Sequence, residues 1–171
     1  MLQNLSIFVL PALLIIAAAS DVMSFRIPNW LTVLTATLFF PMAWATGMPQ
    51  HEFGLHLAAG AALFAVGFVF FQVGIFGGGD AKLMAAAGLW FGTAKVLPFL
   101  FLTAIAGGAL ALVVGLWSAF MLHWEIHGDQ GVLATLGQNL RKLNPNVPYG
   151  FAFALGGILA FKDTWWTNGL G

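Results

Sequence analysis

The sequence contains no cysteine and very little charge. Without cysteine there is no disulfide framework and no thiolate to hold zinc or an iron–sulfur cluster. Charged residues make up 7% of the 171-residue chain, where a soluble domain carries about 25%. Six basic and six acidic side chains cancel, which leaves no basic patch for phosphates and makes a nucleic-acid partner unexpected. The length leaves no room for a separate soluble domain. What is abundant is apolar surface, with 60% hydrophobic residues and a mean hydropathy of +0.92. The fold class this implies is all-α: a polytopic membrane protein, with 1–171 as a single domain in the lipid bilayer.

The scarce charges mark where spans end. Met1 to Ser20 is uncharged, is apolar from Ile7 onward, and reads as a first transmembrane helix. Its end, Ala17-Ala18-Ala19-Ser20, has the small residues of a signal-peptide cleavage site, but no Lys or Arg opens the segment and the run is long enough to span. Asp21 falls at the end of this helix, and Val22 to Trp30 follows. Pro28 disfavours a helical Ile27 and suits the first turn of the next helix, while Trp30 suits an interfacial anchor. A second span covers Trp30 to Thr46, and a third covers Gly54 to Ile75 after a turn at Gly47-Met48-Pro49-Gln50. The fourth, Ala81 to Phe91, is short for a core ~30 Å thick, which suggests that the glycine loop before it is partly re-entrant. Val96 to Leu122 makes a fifth span, with Gly107-Gly108 permitting close helix contact. Val147-Pro148-Tyr149-Gly150 opens a sixth that ends near Phe161, with Lys162, Asp163, Trp165 and Trp166 at the last interface.

Six spans put Arg26, Lys82, Arg141 and Lys142 on one side, and Lys95 and Lys162 on the other. The positive-inside rule then places the termini outside and the loops bearing Asp21 and Asp80 in the cytoplasm. Either orientation leaves Asp21 and Asp80 at the same membrane face.

The chemistry concentrates at Gly77-Gly78-Gly79-Asp80-Ala81-Lys82-Leu83, between two uncharged runs. An ionised carboxylate in hydrocarbon costs roughly 2.5–3.5 kcal/mol on insertion scales, so one at this position marks a functional site by default. Three glycines before it remove every side chain, which lets a backbone or a substrate approach Asp80 closely. Asp80 is also placed to be the N-cap of the helix that follows, an ordinary structural role. The second carboxylate, Asp21, shifts the balance. Two carboxyls at one membrane level, each at a helix end, can meet in the bundle and share a proton. An ionised partner would then activate a water while the protonated one polarises a carbonyl, with neither metal nor cofactor required.

Other readings remain open. Intramembrane carboxylates and broken helices also serve proton or cation transport, so a small transporter or channel subunit using Asp21 and Asp80 is the main alternative. An assembly subunit with no chemistry of its own is a third. His51 and His56 are spaced by five, and His123 and His127, with Glu125 between them, by four; neither pair completes a metal site, and an interfacial polar helix accounts for the second. Ser6, Ser20, Ser24 and Ser118 have no His–Asp pattern beside them. His123 to Asn146 is the one polar stretch of any length.

Three blocks together resemble the prepilin peptidases, or type IV leader peptidases, the GxGD intramembrane aspartic endopeptidases. Asp21 with Arg26-Ile27-Pro28-Asn29 is similar to the family's first aspartate and its Ile-Pro-Asn sequence. Gly77 to Leu83 resembles its GxGD-x-K-L signature, and Val147-Pro148-Tyr149-Gly150 with Ala154-Leu155-Gly156-Gly157 looks like its third block. The resemblance covers about residues 12 to 160. It implies catalysis by Asp21 and Asp80, with Gly77, Gly78, Gly79, Lys82, Arg26, Pro28, Asn29, Pro148, Tyr149 and Gly150 in supporting or substrate-approach roles; the position of Lys82 two residues after Asp80 separately suggests that it tunes the charge on Asp80. The implied substrate is a prepilin, cut at the cytoplasmic face of the bacterial inner membrane between a short basic leader and a hydrophobic helix, with pilus assembly machinery as a further partner. Larger members carry an additional region with paired cysteines and also N-methylate the product. That region is missing here, so the chain resembles the short form associated with Flp/Tad pili.

Overall fold

The computed structural model describes residues 2–127, 149–162 and 164–168. Most of the polar stretch, including Asp129, Arg141 and Lys142, together with Val147, Pro148 and Asp163, lies outside the described residues, as do the side chains of His123, Glu125 and His127. The described chain is helical: α1 (Leu2–Ser24), α2 (Asn29–Ala45), α3 (Gln50–Gln72), α4 (Gly78–His127), α5 (Tyr149–Ala160) and α6 (Trp165–Asn168). Among the described residues three stretches are long and apolar enough to cross a bilayer: Ser6–Ser24, Gln50–Gln72 and Gly78–Phe120, with mean hydropathies of 2.1, 2.0 and 2.4. Large apolar side chains such as Leu97, Phe101 and Leu116 stand uncovered on the outside, as a lipid solvent allows. This is a membrane protein.

Helix α1 runs a turn beyond the expected span end, so Asp21 sits inside its last turn and not after it. Phe25 stops the helix with φ 51°, a left-handed conformation that costs a non-glycine residue about 1–2 kcal/mol. Its N–H still reaches the Asp21 carbonyl at 2.7 Å. The Ser20 hydroxyl donates to the Arg26 carbonyl at 3.0 Å, and the Ser24 hydroxyl donates to the Ser20 carbonyl at 2.7 Å with the Arg26 carbonyl 3.3 Å away, and together they hold the turn. Pro28 is the N-cap of α2, with φ −61° and ψ 137°, one place earlier than the first-turn position expected for it. Helix α3 begins and ends earlier than its expected span, and Gly74, at φ 75°, turns the chain towards the glycine loop.

The expected fourth and fifth spans form one helical run with a single break, at Gly92 (φ 61°, ψ 179°). Only glycine adopts that φ without strain, and a Cβ there would also lie 2.8 Å from His56 Nε2. At the break the Leu89 carbonyl accepts from His56 Nδ1 at 2.6 Å, and the Trp90 carbonyl accepts from Trp166 Nε1 at 2.6 Å. A carbonyl only accepts, so His56 carries its proton on Nδ1. Thus His56 is a buried helix-end donor, stacked on Phe39 with ring centroids 5.6 Å apart.

The second arm of α4 folds back along the first. Phe99 stacks on Phe91 with centroids 4.5 Å apart, Thr103 presses on Gly156, and Gly107 reaches the level of Tyr149 and Ala152. Between α3 and the first arm, contact is backbone to backbone: a Cβ on Gly88 would sit 3.2 Å from both the Ala59 carbonyl and Gly60 Cα. The last turn of α1 and the first turns of α2, α4 and α5 therefore share one end of the bundle. Phe39, Trp90 and Trp166 close the other.

The α4–α5 contact makes a stability prediction. A Cβ on Gly156 would collide with Thr103 Oγ1 and lie 2.5 Å from Thr103 N and 2.6 Å from its Cα. Backbone atoms cannot rotate aside, so Gly156→Ala is expected to cost about 1–3 kcal/mol by overpacking. Thermal unfolding in detergent should show a clearly lowered midpoint, and an unchanged one would mean that the two helices are not pressed together here.

Candidate active site

Gly77 precedes α4 as its N-cap: its carbonyl accepts the first intrahelical bond, from Ala81 N–H at 3.1 Å. Asp80 is therefore the third residue of the first turn, not the cap expected from the sequence. Its Oδ2 reaches back to the Gly77 N–H at 3.2 Å, the reciprocal half of a capping box. The carboxylate also faces the positive end of the helix dipole.

The three glycines differ in what they permit. A Cβ on Gly77 would lie 2.9 Å from Asp80 Oδ2. One on Gly79 would lie 3.1 Å from both Cβ and the carbonyl oxygen of Ile27, so the close approach at Gly79 comes from the chain itself. One on Gly78 would meet the Phe71 ring at an ordinary 3.4 Å. Packing does not require glycine there.

Asp21 is buried, with 6% of its surface exposed, and its Oδ2 accepts the Gly150 N–H at 2.6 Å. A Cβ on Gly150 would lie 2.8 Å from Asp21 Cβ and 2.9 Å from Oδ2. The packing of Tyr149 on Phe76 sets Gly150 and Gly77, and with them the two carboxyls, at the same end of the bundle. Each is oriented by one backbone N–H at the start of a helix, Asp21 by α5 and Asp80 by α4. Lys82, on the exposed side of α4, donates from Nζ to Asn29 Oδ1 at 2.8 Å, so its hydrogen-bond partner is α2 and not Asp80. Tyr149 packs its ring on Phe76, just ahead of the glycines, at 5.6 Å between centroids.

The structure thus brings together Asp21, Ile27 to Asn29, Gly77 to Lys82, and Tyr149 with Gly150. The Arg26 side chain is exposed, and its carbonyl is what ties it to the site. The sequence reading missed Ile27 as the residue lodged against Gly79. It also missed Ser20 and Ser24, set aside as nucleophiles although their hydroxyls hold the loop after Asp21. An Ile before a Pro was the available signal for the first; a serine pair at helical spacing before a turn was the signal for the second. His51 is exposed beside Glu52, at 4.0 Å, while His56 is in the core. Among the described residues no three His, Asp or Glu side chains gather as metal ligands.

A model of the type IV leader peptidase family matches residues 8–112, more than half of the chain. The chain belongs to the type IV leader peptidase family. The match takes in Asp21, the Arg26 to Asn29 turn and the whole Gly77 to Leu83 block, and stops short of Tyr149 and Gly150. No curated protein and no solved structure matches the chain. Family membership makes this a leader-peptidase-like protein whose substrate class is the prepilin.

Proposed function

We propose that the protein is an intramembrane aspartic endopeptidase that trims the leader from Flp-type prepilins, using Asp21 and Asp80 as its acid/base pair. The observation that carries this reading is the convergence of two carboxyls from distant parts of the chain, each held by a backbone N–H at the same end of the bundle. With one proton between them, the ionised carboxyl takes a proton from water as the hydroxide attacks the scissile carbonyl carbon. The protonated carboxyl stabilises the oxygen that gains charge. Collapse of the tetrahedral intermediate breaks the C–N bond, and the leaving amine takes up the proton. No metal or cofactor enters.

In this reading the chain is one membrane domain of six spans in the bacterial inner membrane, its dyad at the cytoplasmic face and its termini outside. The break at Gly92 turns α4 into the fourth and fifth spans. The first arm, about 20 Å long at about 1.5 Å per residue, stops short of a full crossing, in keeping with a partly re-entrant glycine loop. The pilus assembly machinery receives the product.

The test is to reconstitute the protein in proteoliposomes with a Flp-type prepilin and sequence the product's N-terminus. Release of the leader at a single bond ahead of the apolar helix is expected. An intact prepilin, together with proton or cation flux through the same vesicles, would hand Asp21 and Asp80 to the transport reading.

A further inference from the structure

A cavity of about 380 Å³ opens on the outside of the bundle between α2, α3 and the first arm of α4. Its floor is Ala85 and Ala86, its rims are Val33 and Phe64, 62% and 56% exposed, and among the described residues the only charged side chain lining it is Lys82. Helix α2 runs parallel to this arm. Asn29 bonds Lys82 at one end, and the Thr35 carbonyl accepts from Trp90 Nε1, at 2.9 Å, towards the other. The groove therefore starts at the end of the bundle that holds the carboxyls and extends about 10 Å from Lys82 to Leu89, two helical turns. Alanine at the floor lets another helix bring its backbone close, and such contacts drive helix association in lipid, where apolarity alone does not.

We propose that this groove seats the first two turns of the substrate's apolar helix, a proposal that rests on the peptidase reading above. The Lys82–Asn29 bond bridges α4 to α2 across the groove's end, so a helix lying in it must stop or unwind there. Lys82 and Asp80 are two residues apart and so face opposite sides of α4. From the groove the substrate chain reaches Asp80 by crossing the end of α4, over Gly77 and Gly78. Gly77 is exposed and Gly78 half-buried. This gives Gly78 a reason to lack a side chain that packing does not supply. Crossing a helix end about 10 Å wide takes about three extended residues at about 3.3 Å each. The bond cut then lies about that far ahead of the substrate's helix.

The experiment compares Ala85→Leu with wild type on two substrates: a full prepilin, and a soluble peptide that spans the leader and cleavage junction but lacks the apolar helix. The groove predicts a KM for the prepilin raised about tenfold, the loss of one close helix contact, with the rate on the peptide unchanged. A photo-crosslinking phenylalanine in place of Val33 should attach to the prepilin's helix. Unchanged prepilin cleavage by Ala85→Leu overturns the proposal and leaves the peptidase reading intact. Crosslinks to lipid alone do the same, including where Ala85→Leu slows both substrates. Wild type that cuts neither substrate overturns the peptidase reading, and this proposal with it.

Discussion

Asp21→Asn and Asp80→Asn are each expected to give a folded protein whose prepilin cleavage falls by about 10²–10⁴-fold, the usual contribution of a positioned proton-transfer group. The substitution is isosteric. An Asn side-chain oxygen can still accept the Gly150 N–H at position 21 or the Gly77 N–H at position 80, so the bonds that orient each residue are retained. What is lost is the ability to take up and return a proton. Because the two carboxyls act as one unit, the double variant is expected to be about as slow as either single one, since effects of groups acting together do not add. The measurement is cleavage in membranes, with elution in detergent confirming that the variants fold. A folded variant of either kind that cuts within about tenfold of wild type would remove that residue from the chemistry, and a double variant far slower than both singles would make the two act independently.

Charge placement made the outline legible. In a chain this apolar, a carboxylate survives at a span edge only for a reason, and Asp21 and Asp80 stand out for that cause alone. The alternation of spans put them at one face, and the structure gathers them at one end of the bundle. The positions of α2 and α5 were also readable, because Pro28 and the Pro148-Tyr149-Gly150 block punctuate apolar runs. What the sequence hid are the contacts between distant segments. Nothing local to Gly150 indicates that its N–H will serve Asp21, because the partner lies on another helix. His56 looked like half of a histidine pair, whereas its role is to satisfy a carbonyl where α4 breaks. The break at Gly92 falls where the fourth span was expected to end, just after Phe91, but that it is a sharp kink at one residue inside a continuous helical run shows only in its φ. The cap assignment at Asp80 failed for a related reason. A carboxylate can cap a helix from the N-cap position or reach back to it from the third residue, and only the backbone bond from Ala81 to Gly77 tells the two apart.

Gly150→Ala tests the backbone support of the dyad without touching either carboxyl. The added Cβ would lie 2.8 Å from Asp21 Cβ, an atom fixed to the α1 backbone, so either the first turn of α5 or the last turn of α1 must move. Both routes displace the Asp21 carboxyl and stretch its 2.6 Å bond to the Gly150 N–H. A displacement approaching 1 Å is enough to cost about 10²-fold where reacting groups must be aligned, so kcat is expected to fall by about that factor. Gly77→Ala should be milder. Its Cβ would meet Asp80 at Oδ2, the free end of a side chain that can turn by a few tenths of an ångström. Gly108→Ala supplies the baseline, since a Cβ there meets nothing within 4 Å and alanine favours a helix interior over glycine. The order expected in a cleavage assay is therefore Gly108→Ala close to wild type, Gly77→Ala reduced and Gly150→Ala lowest, with KM for prepilin nearly constant in Gly150→Ala, which leaves both the groove by Lys82 and the crossing over Gly77 and Gly78 untouched. If Gly150→Ala matched Gly108→Ala, α5 would be a neighbour of the dyad and not part of its support, and the orientation of Asp21 would have to come from the turn that Ser20 and Ser24 hold.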